Sequence, residues 1–248
     1  MTKKLRVDVW SDIACPWCYI GKRRLEAALS RFPHAESVEV VWRAFELDPS
    51  APRERDPSLS HAARLAQKYR MPVARAEAMI QQNAAVAKAD GLDFHPELIR
   101  SGSTFDAHRL VHLGARRGLQ DAVKERLMRA YMTEGQLISD HDTLVRLGVE
   151  AGLDPDEVRA LLASNDLAHE VRADEQEAHE LGISGVPFFV LGGRYGVSGA
   201  QPADLLLNAL ERAWDDQDET TGAGEEADPA AVEACGPDGC AVPARGSG

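Results

Sequence analysis

The sequence predicts an α/β fold: a strand–helix–strand opening, a large all-α insertion, and a closing hairpin and helix. Three observations carry it. Alternating apolar residues in LRVDVWS give way to a helical pattern that begins at CPWCYIGKRRL. Residues 58–181 carry helical spacing alone. Strand character returns only at GVPFFVLGGRYGVSG, with one more helix behind it.

Each element has a local reason. Leu5, Val7 and Val9 alternate with Arg6, Asp8 and Trp10, the period of a half-buried strand. Tyr19, Ile20, Leu25, Ala28 and Leu29 recur at helical spacing, and Pro33 closes that segment. SVEVVWRAFEL alternates through Val38, Val40, Trp42 and Phe45, which predicts a strand ending near Leu47. ELDPSAPRERDPS is rich in proline and charge and reads as a linker. Behind it, stretches such as ARAEAMIQQNAAVAKADG, TFDAHRLVHLGARRG and DAVKERLMRAYMTEG space apolar residues three and four apart and end at glycine. Asp140 and Asp154-Pro155 are helix start signals. Gly192-Gly193 between two apolar runs predicts a β-hairpin, and QPADLLLNALERAW a closing helix. The expected organisation is one α/β body from residues 1–50 and 181–215, a helical insertion over 51–180 and a flexible tail over 216–248.

The tail is acidic, with almost no large apolar residue, and cannot bury enough surface to fold alone. The whole chain has a formal net charge of -12 and shows no basic patch, which opposes binding to nucleic acid or anionic lipid. No run approaches the roughly 18 apolar residues of a membrane span. MTKKLRVDVWSDI lacks the apolar core of a secretory signal, so a soluble cytoplasmic protein is expected. In that compartment paired cysteines are catalytic or metal-binding more often than structural.

The 4 cysteines form two pairs, Cys15/Cys18 in CPWC and Cys235/Cys240 in CGPDGC. A strand, then CxxC, then a helix puts Cys15 at a helix N-terminus, where unpaired N–H groups and the positive dipole end favour a thiolate. Pro16 suits the first turn, having no N–H to leave unpaired. Cys18, nearly one turn on, can close a disulfide with Cys15 and is covered by the turn. This order favours redox chemistry over half a zinc site. The expected roles are attack by Cys15 on a disulfide and resolution of the mixed disulfide by Cys18. Trp17 shapes the surface beside them. Pro187 in ISGVPFFV begins a strand, where its missing N–H is tolerated.

With FDAHRL, YMTEG followed by ISD, EAGLD, GVPFFV and YGVSGAQP, the chain resembles the DsbA-like thioredoxin family and, within it, the FrnE-like branch, over about residues 4–215. The resemblance implies a thioredoxin-like fold interrupted by a helical domain. It also implies thiol–disulfide oxidoreductase activity, with Cys15 as nucleophile, Cys18 as resolving thiol and Pro187 as a cis-proline facing them. Val186 then offers backbone groups to a peptide or to glutathione. Related kappa-type glutathione transferases and chromene-carboxylate isomerases carry serine at the attacking position, from which Cys15 departs; that activity is the runner-up. His108 and Arg109 are candidates for a groove beside CPWC, weighed against a plain interior role.

In the tail, Pro237-Asp238-Gly239 forms a turn that returns Cys240 toward Cys235. So short a loop yields only about 2 kcal/mol as a staple. About twenty residues separate Trp214 from Cys235, giving a flexible reach of about 25 Å. The pair is therefore expected to exchange disulfides with Cys15 and Cys18 as an auxiliary redox pair. A four-cysteine zinc module or a redox-sensing binding protein is the non-catalytic alternative. The expected partners are proteins bearing thiols or disulfides. No organic cofactor and no metal are expected, and glutathione is a candidate co-substrate.

Overall fold

The structure, a computed structural model, describes residues 3–53, 59–219 and 240–241. Strand β1 (Leu5–Ser11) pairs in parallel with β2 (Val38–Ala44), with Leu5 opposite Val38 and Ser11 opposite Ala44. Helix α1 (Pro16–Leu29) makes the crossover that parallel neighbours need. On its other side β1 pairs antiparallel with β3 (Phe188–Leu191), which turns back onto β4 (Tyr195–Ser198). Gly192 and Gly193 make that turn with φ of 60° and 70°, the left-handed values a tight hairpin demands. Helix α9 (Ala203–Glu219) then packs along α1.

Among the described residues, seven α-helices separate β2 from β3. They are α2 (His61–Lys68), α3 (Val73–Ala89), α4 (Phe105–Arg116), α5 (Gln120–Met132), α6 (His141–Glu150), α7 (Pro155–Ala163) and α8 (Ala168–Glu180). Asp140 caps α6 through Thr143 N–H, and Asp154 caps α7 through the N–H groups of Asp156 and Glu157.

Four features differ from expectation. Strand β1 is covered on both faces. Leu5, Val7 and Val9 enter the main core, while Trp10, only 1% exposed, packs with Ala178, Ile183 and Val190. Its indole N–H donates to the Asp174 carbonyl of α8 at 2.8 Å. Strand β2 stops at Ala44 because carboxylates capture the next N–H groups: Ala44 N–H donates to Asp174, Glu46 N–H to Glu175, and Leu47 N–H to Asp12. Helix α9 runs past Trp214 to Glu219, tied by Tyr195 to Asp216 and by Gln217 to the Lys4 carbonyl. Finally, Cys240–Ala241 forms a two-residue strand, β5, against the open edge of β4, giving the sheet order β2-β1-β3-β4-β5. Cys235 and the CGPDGC turn lie outside the described residues.

Candidate active site

Cys15 is the N-cap of α1, with extended backbone (φ -94°, ψ 115°) and Pro16 in the first turn. Its N–H donates to the Asp12 carbonyl at 3.3 Å, and its own carbonyl accepts from Cys18 and Tyr19 N–H at 3.1 and 3.4 Å. No acidic residue stands in the first turn to oppose the positive end of the helix. Both cysteines are free thiols. Cys15, 5% exposed, lines a cleft, whereas Cys18 is sealed in the interior. Burial pushes the Cys18 thiol well above its ordinary range, and its hydrogen bond and charge interaction with Cys15 push it further; Lys124 pulls the other way.

Facing the pair, the Val186–Pro187 peptide bond is cis. The Cys15 thiol points at the Val186 carbonyl, Sγ to O 3.7 Å. Gly21 of α1 makes room for this loop. A Cβ there would lie 2.9 Å from Pro187 Cγ and 3.3 Å from Phe189 Cζ.

Beneath the thiols lies a polar set of which the sequence singled out only His108; Asp12 and Lys124 were missed. The buried Asp12 carboxylate accepts from Leu47 N–H at 2.8 Å and Ala14 N–H at 3.3 Å, and lies 3.4 Å from His108 Nε2. Burial raises the Asp12 pKa, but His108 and the two N–H groups outweigh it and hold the carboxyl below its ordinary value. Burial likewise lowers the His108 pKa. Lys124 of α5 is fully buried and donates from Nζ to the Ser11 carbonyl at 3.2 Å. Burial lowers its pKa to about 8. Arg109 has the interior role. Its guanidinium meets the carbonyls of Leu161, Ser164 and Asp166, and Asp106, binding α4 to α7. Neither His108 nor Arg109 lines the cleft.

The cleft, about 340 Å³, opens between the CPWC turn and the inserted helices. Trp17, Leu47, Leu65, Tyr69 and Phe94 give it apolar walls, and Arg64 and Lys68 add positive charge. Trp17, Leu47 and Tyr69 are among the large apolar side chains left exposed. His61, on the same wall, is pushed down to about 4 by burial and by Arg64, so its ring is neutral at pH 7.

Cys240 is not brought to this site. It pairs with Gly196, which lies level with Val190 and, across β3, with Asp8. That places its backbone three strand spacings from β1, about 14 Å, and short of the Ser11 end where Cys15 follows. Among the described residues no three His, Cys, Asp or Glu side chains gather as metal donors. No described helix is long and apolar enough to cross a membrane.

A strand running into CxxC at a helix N-terminus, with a proline-led strand opposite the first cysteine, defines a thioredoxin-like dithiol protein. More narrowly, the chain belongs to the DSBA-like thioredoxin domain family, whose model matches residues 6–211. It is therefore a thiol–disulfide oxidoreductase by family, with thiols or disulfides as substrates. A crystal structure described as a probable DsbA oxidoreductase from Streptomyces coelicolor is 48% identical, with a TM-score of 0.79 over 97% of this chain and 100% of that one. An uncharacterized protein of Bacillus subtilis is 27% identical over 207 residues, 83% of this chain and 96% of its own. The fold is shared with the cytosolic disulfide reductase DsbM from Pseudomonas aeruginosa, at 18% identity and a TM-score of 0.55 over 87% of this chain and 98% of that one. It is also shared with a 2-hydroxychromene-2-carboxylate isomerase, at 16% identity and a TM-score of 0.63 over 88% of this chain and 100% of that one.

Proposed function

We propose that the protein reduces and isomerises disulfides of protein substrates in the cytoplasm, with Cys15 as nucleophile and Cys18 as resolving thiol. One asymmetry carries the reading: Cys15 lines a cleft with exposed apolar walls, and Cys18, three residues on, is buried behind it. The Cys15 thiolate attacks a substrate disulfide. A Cys15–substrate disulfide forms and one substrate thiolate leaves. Cys18 then attacks the Cys15 sulfur, a Cys15–Cys18 disulfide forms, and the second substrate thiolate leaves. The protein loses two electrons and the substrate gains them. In isomerisation a substrate thiolate displaces Cys15 instead, and the dithiol is unchanged. Two glutathione thiols per cycle would regenerate the dithiol, and Arg64 and Lys68 offer charge for glutathione carboxylates. Apolar walls around the nucleophile favour unfolded or loosely folded clients, whose apolar side chains are exposed.

The test is trapping. Cys18→Ser, mixed with a peptide disulfide, should accumulate a mixed disulfide at Cys15 detectable by mass spectrometry, and Cys15→Ser should form none. Absence of the adduct in the first variant sinks the reading. Within the same proposal, Cys235 and Cys240 relay electrons to the active pair. The pairing of β5 with β4 means that this strand must leave the sheet edge for exchange to occur. If truncation after Glu219 leaves turnover and substrate range unchanged, the relay is wrong.

A further inference from the structure

Helix α4 begins beside the CPWC turn. His108 of α4 lies 3.4 Å from the Asp12 carboxylate, and Asp12 stands three residues ahead of Cys15. Thr104 comes four residues before His108, so both sit on one face of the helix, and Thr104 reaches the cleft that Cys15 lines. It is the N-cap of α4 but does not cap. Its backbone (φ -98°, ψ 0°) is not the extended form from which an N-cap side chain reaches the first turn, and its hydroxyl makes no capping bond. Phe105 N–H donates instead to Ser103 Oγ at 3.2 Å. Among the described residues the Thr104 hydroxyl has no hydrogen-bond partner, although the residue is only 5% exposed. The segment that carries it is fixed: Ser103 N–H donates to the Pro52 carbonyl at 3.1 Å, and a Cβ on Gly102 would run into Ser139. Asn83 of α3 lines the same cleft. It interrupts the alanine-rich helix VARAEAMIQQNAAVAKA, where it is a poorer helix former than its neighbours. Its half-buried carboxamide likewise meets no hydrogen-bond partner among the described residues. Charged groups of the cleft are engaged by comparison. Arg64 donates to the Leu59 carbonyl, Lys68 donates to the Leu47 carbonyl at 3.1 Å, and Asp12 accepts from two N–H groups.

We propose that Thr104 and Asn83 form a specificity subsite for the main chain of the substrate: the Thr104 hydroxyl donates to a backbone carbonyl beside the attacked cysteine, and the Asn83 carboxamide accepts from a backbone N–H there. The inference rests on the dithiol reading above and narrows its substrate to polypeptide presented in an open form. Both groups are neutral, and each can donate and accept. Together they match an uncharged partner with one donor and one acceptor, which every non-proline peptide unit supplies whatever its side chain. In a folded client those backbone groups are bound internally, so only an unfolded or unpaired segment can offer them. The subsite therefore selects for chain state and not for sequence, while the apolar walls of the cleft take whatever side chains flank the cysteine. Both residues belong to the inserted helices, whereas Val186, whose carbonyl faces Cys15, belongs to the α/β body. The insertion thus brings its own hold on the substrate.

The experiment is stopped-flow reaction of the full-length reduced protein with a short single-cysteine peptide whose sulfur carries thionitrobenzoate as a mixed disulfide. The Cys15 thiolate bonds to the peptide sulfur, the bond from that sulfur to thionitrobenzoate breaks, and coloured thionitrobenzoate leaves. The control is 5,5′-dithiobis(2-nitrobenzoate), which has no peptide bond. Thr104→Val and Asn83→Ala should each raise the half-saturating peptide concentration by about fivefold, the scale of one neutral hydrogen bond, and leave the control rate within about twofold. Thr104→Ser keeps the hydroxyl and should match wild type. Replacing an amide beside the cysteine by an ester removes the N–H that Asn83 accepts. That peptide should bind wild type more weakly by a similar factor and Asn83→Ala no more weakly than the parent peptide does. An unchanged half-saturation in both variants, an equal loss on the control, or ester and substitution losses that multiply in full each overturn the proposal. If the variants do not fold, wild type decides: ester peptides that react like the parent at both flanking positions overturn it. A wild type that releases no thionitrobenzoate even from the control overturns the dithiol reading itself.

Discussion

Lys124→Met should stabilise the reduced protein at neutral pH and lose that advantage in alkali. Burial depresses the Lys124 pKa to about 8. An unfolded lysine titrates near ~10.4, so the depression corresponds to about 3 kcal/mol. The unfolded chain holds this proton more tightly than the native state. Below pH 8 both states are protonated and the full penalty applies; between pH 8 and ~10.4 stability rises with pH as the native amine sheds its proton. Methionine fills a similar volume without charge and removes the penalty. It also removes the hydrogen bond to Ser11, worth about 1 kcal/mol. The net expectation is a gain of about 2 kcal/mol at pH 7 and a loss of about 1 kcal/mol near pH 10.5. Urea denaturation in excess dithiothreitol at the two pH values measures both. A variant less stable than wild type at pH 7, or one offset equally at both, refutes the reasoning.

Three further outcomes test other parts of the site. Burial pushes Glu46 up to about 7 against the pull of Arg172, so the native state binds its proton more tightly than the unfolded chain, and stability falls by about 3 kcal/mol as pH rises from ~4.3 through 7. Glu46→Gln should raise the melting temperature at pH 8 and leave it unchanged at pH 4; equal shifts at both would refute the assignment. Gly21→Val drives a side chain into Pro187 and Phe189, costs about 1–3 kcal/mol by overpacking, and should slow disulfide exchange by displacing the loop that faces Cys15; an exchange rate equal to wild type counts against that contact. Trp17, 37% exposed, should be replaceable by alanine within about 0.5 kcal/mol of stability, with KM for a peptide disulfide raised and the reaction with a small aryl disulfide untouched. Equal loss on both substrates would mean that Trp17 acts on the thiols and not on docking.

Legibility followed distance along the chain. CPWC, the Gly192-Gly193 hairpin and the caps at Asp140 and Asp154 declare themselves within a few residues, and the structure has each in place. Trp10 was hidden because alternation describes a sheet with one wet face, and α8 closes the second face from far away in sequence. The end of β2 depended on Asp12, Asp174 and Glu175, none of them local to it. Lys124 was the hardest to see. In DAVKERLMRAYM it stands among Lys, Glu and Arg residues that read as a solvated helical face, and only the packing of α5 over Ser11 and Trp42 sets it apart. Gly21 likewise looks like any helical glycine until Pro187 is brought against it.

One helix of the insertion links these observations. Gln120 of α5 accepts from Trp42 N–H and donates to the Trp42 carbonyl, so it closes the outer edge of β2. Asp121 and Glu125 hold Lys22, and Glu125 also holds Tyr19 and Arg23, all on the helix that carries Cys15 and Cys18. Lys124 stands between those two carboxylates in sequence and turns inward to the Ser11 carbonyl at the end of β1. Residues 121, 124 and 125 share one helical face, so α5 meets α1 and the end of β1 with the same surface. A shift of α5 along α1 cannot exchange ion-pair partners without also breaking the Lys124 hydrogen bond to Ser11. The inserted helices therefore do more than wall the cleft: they brace the helix that carries Cys15 and Cys18. This is the physical reason to expect that changes at the α1–α5 contact, remote from substrate, will alter thiol exchange at the CPWC pair.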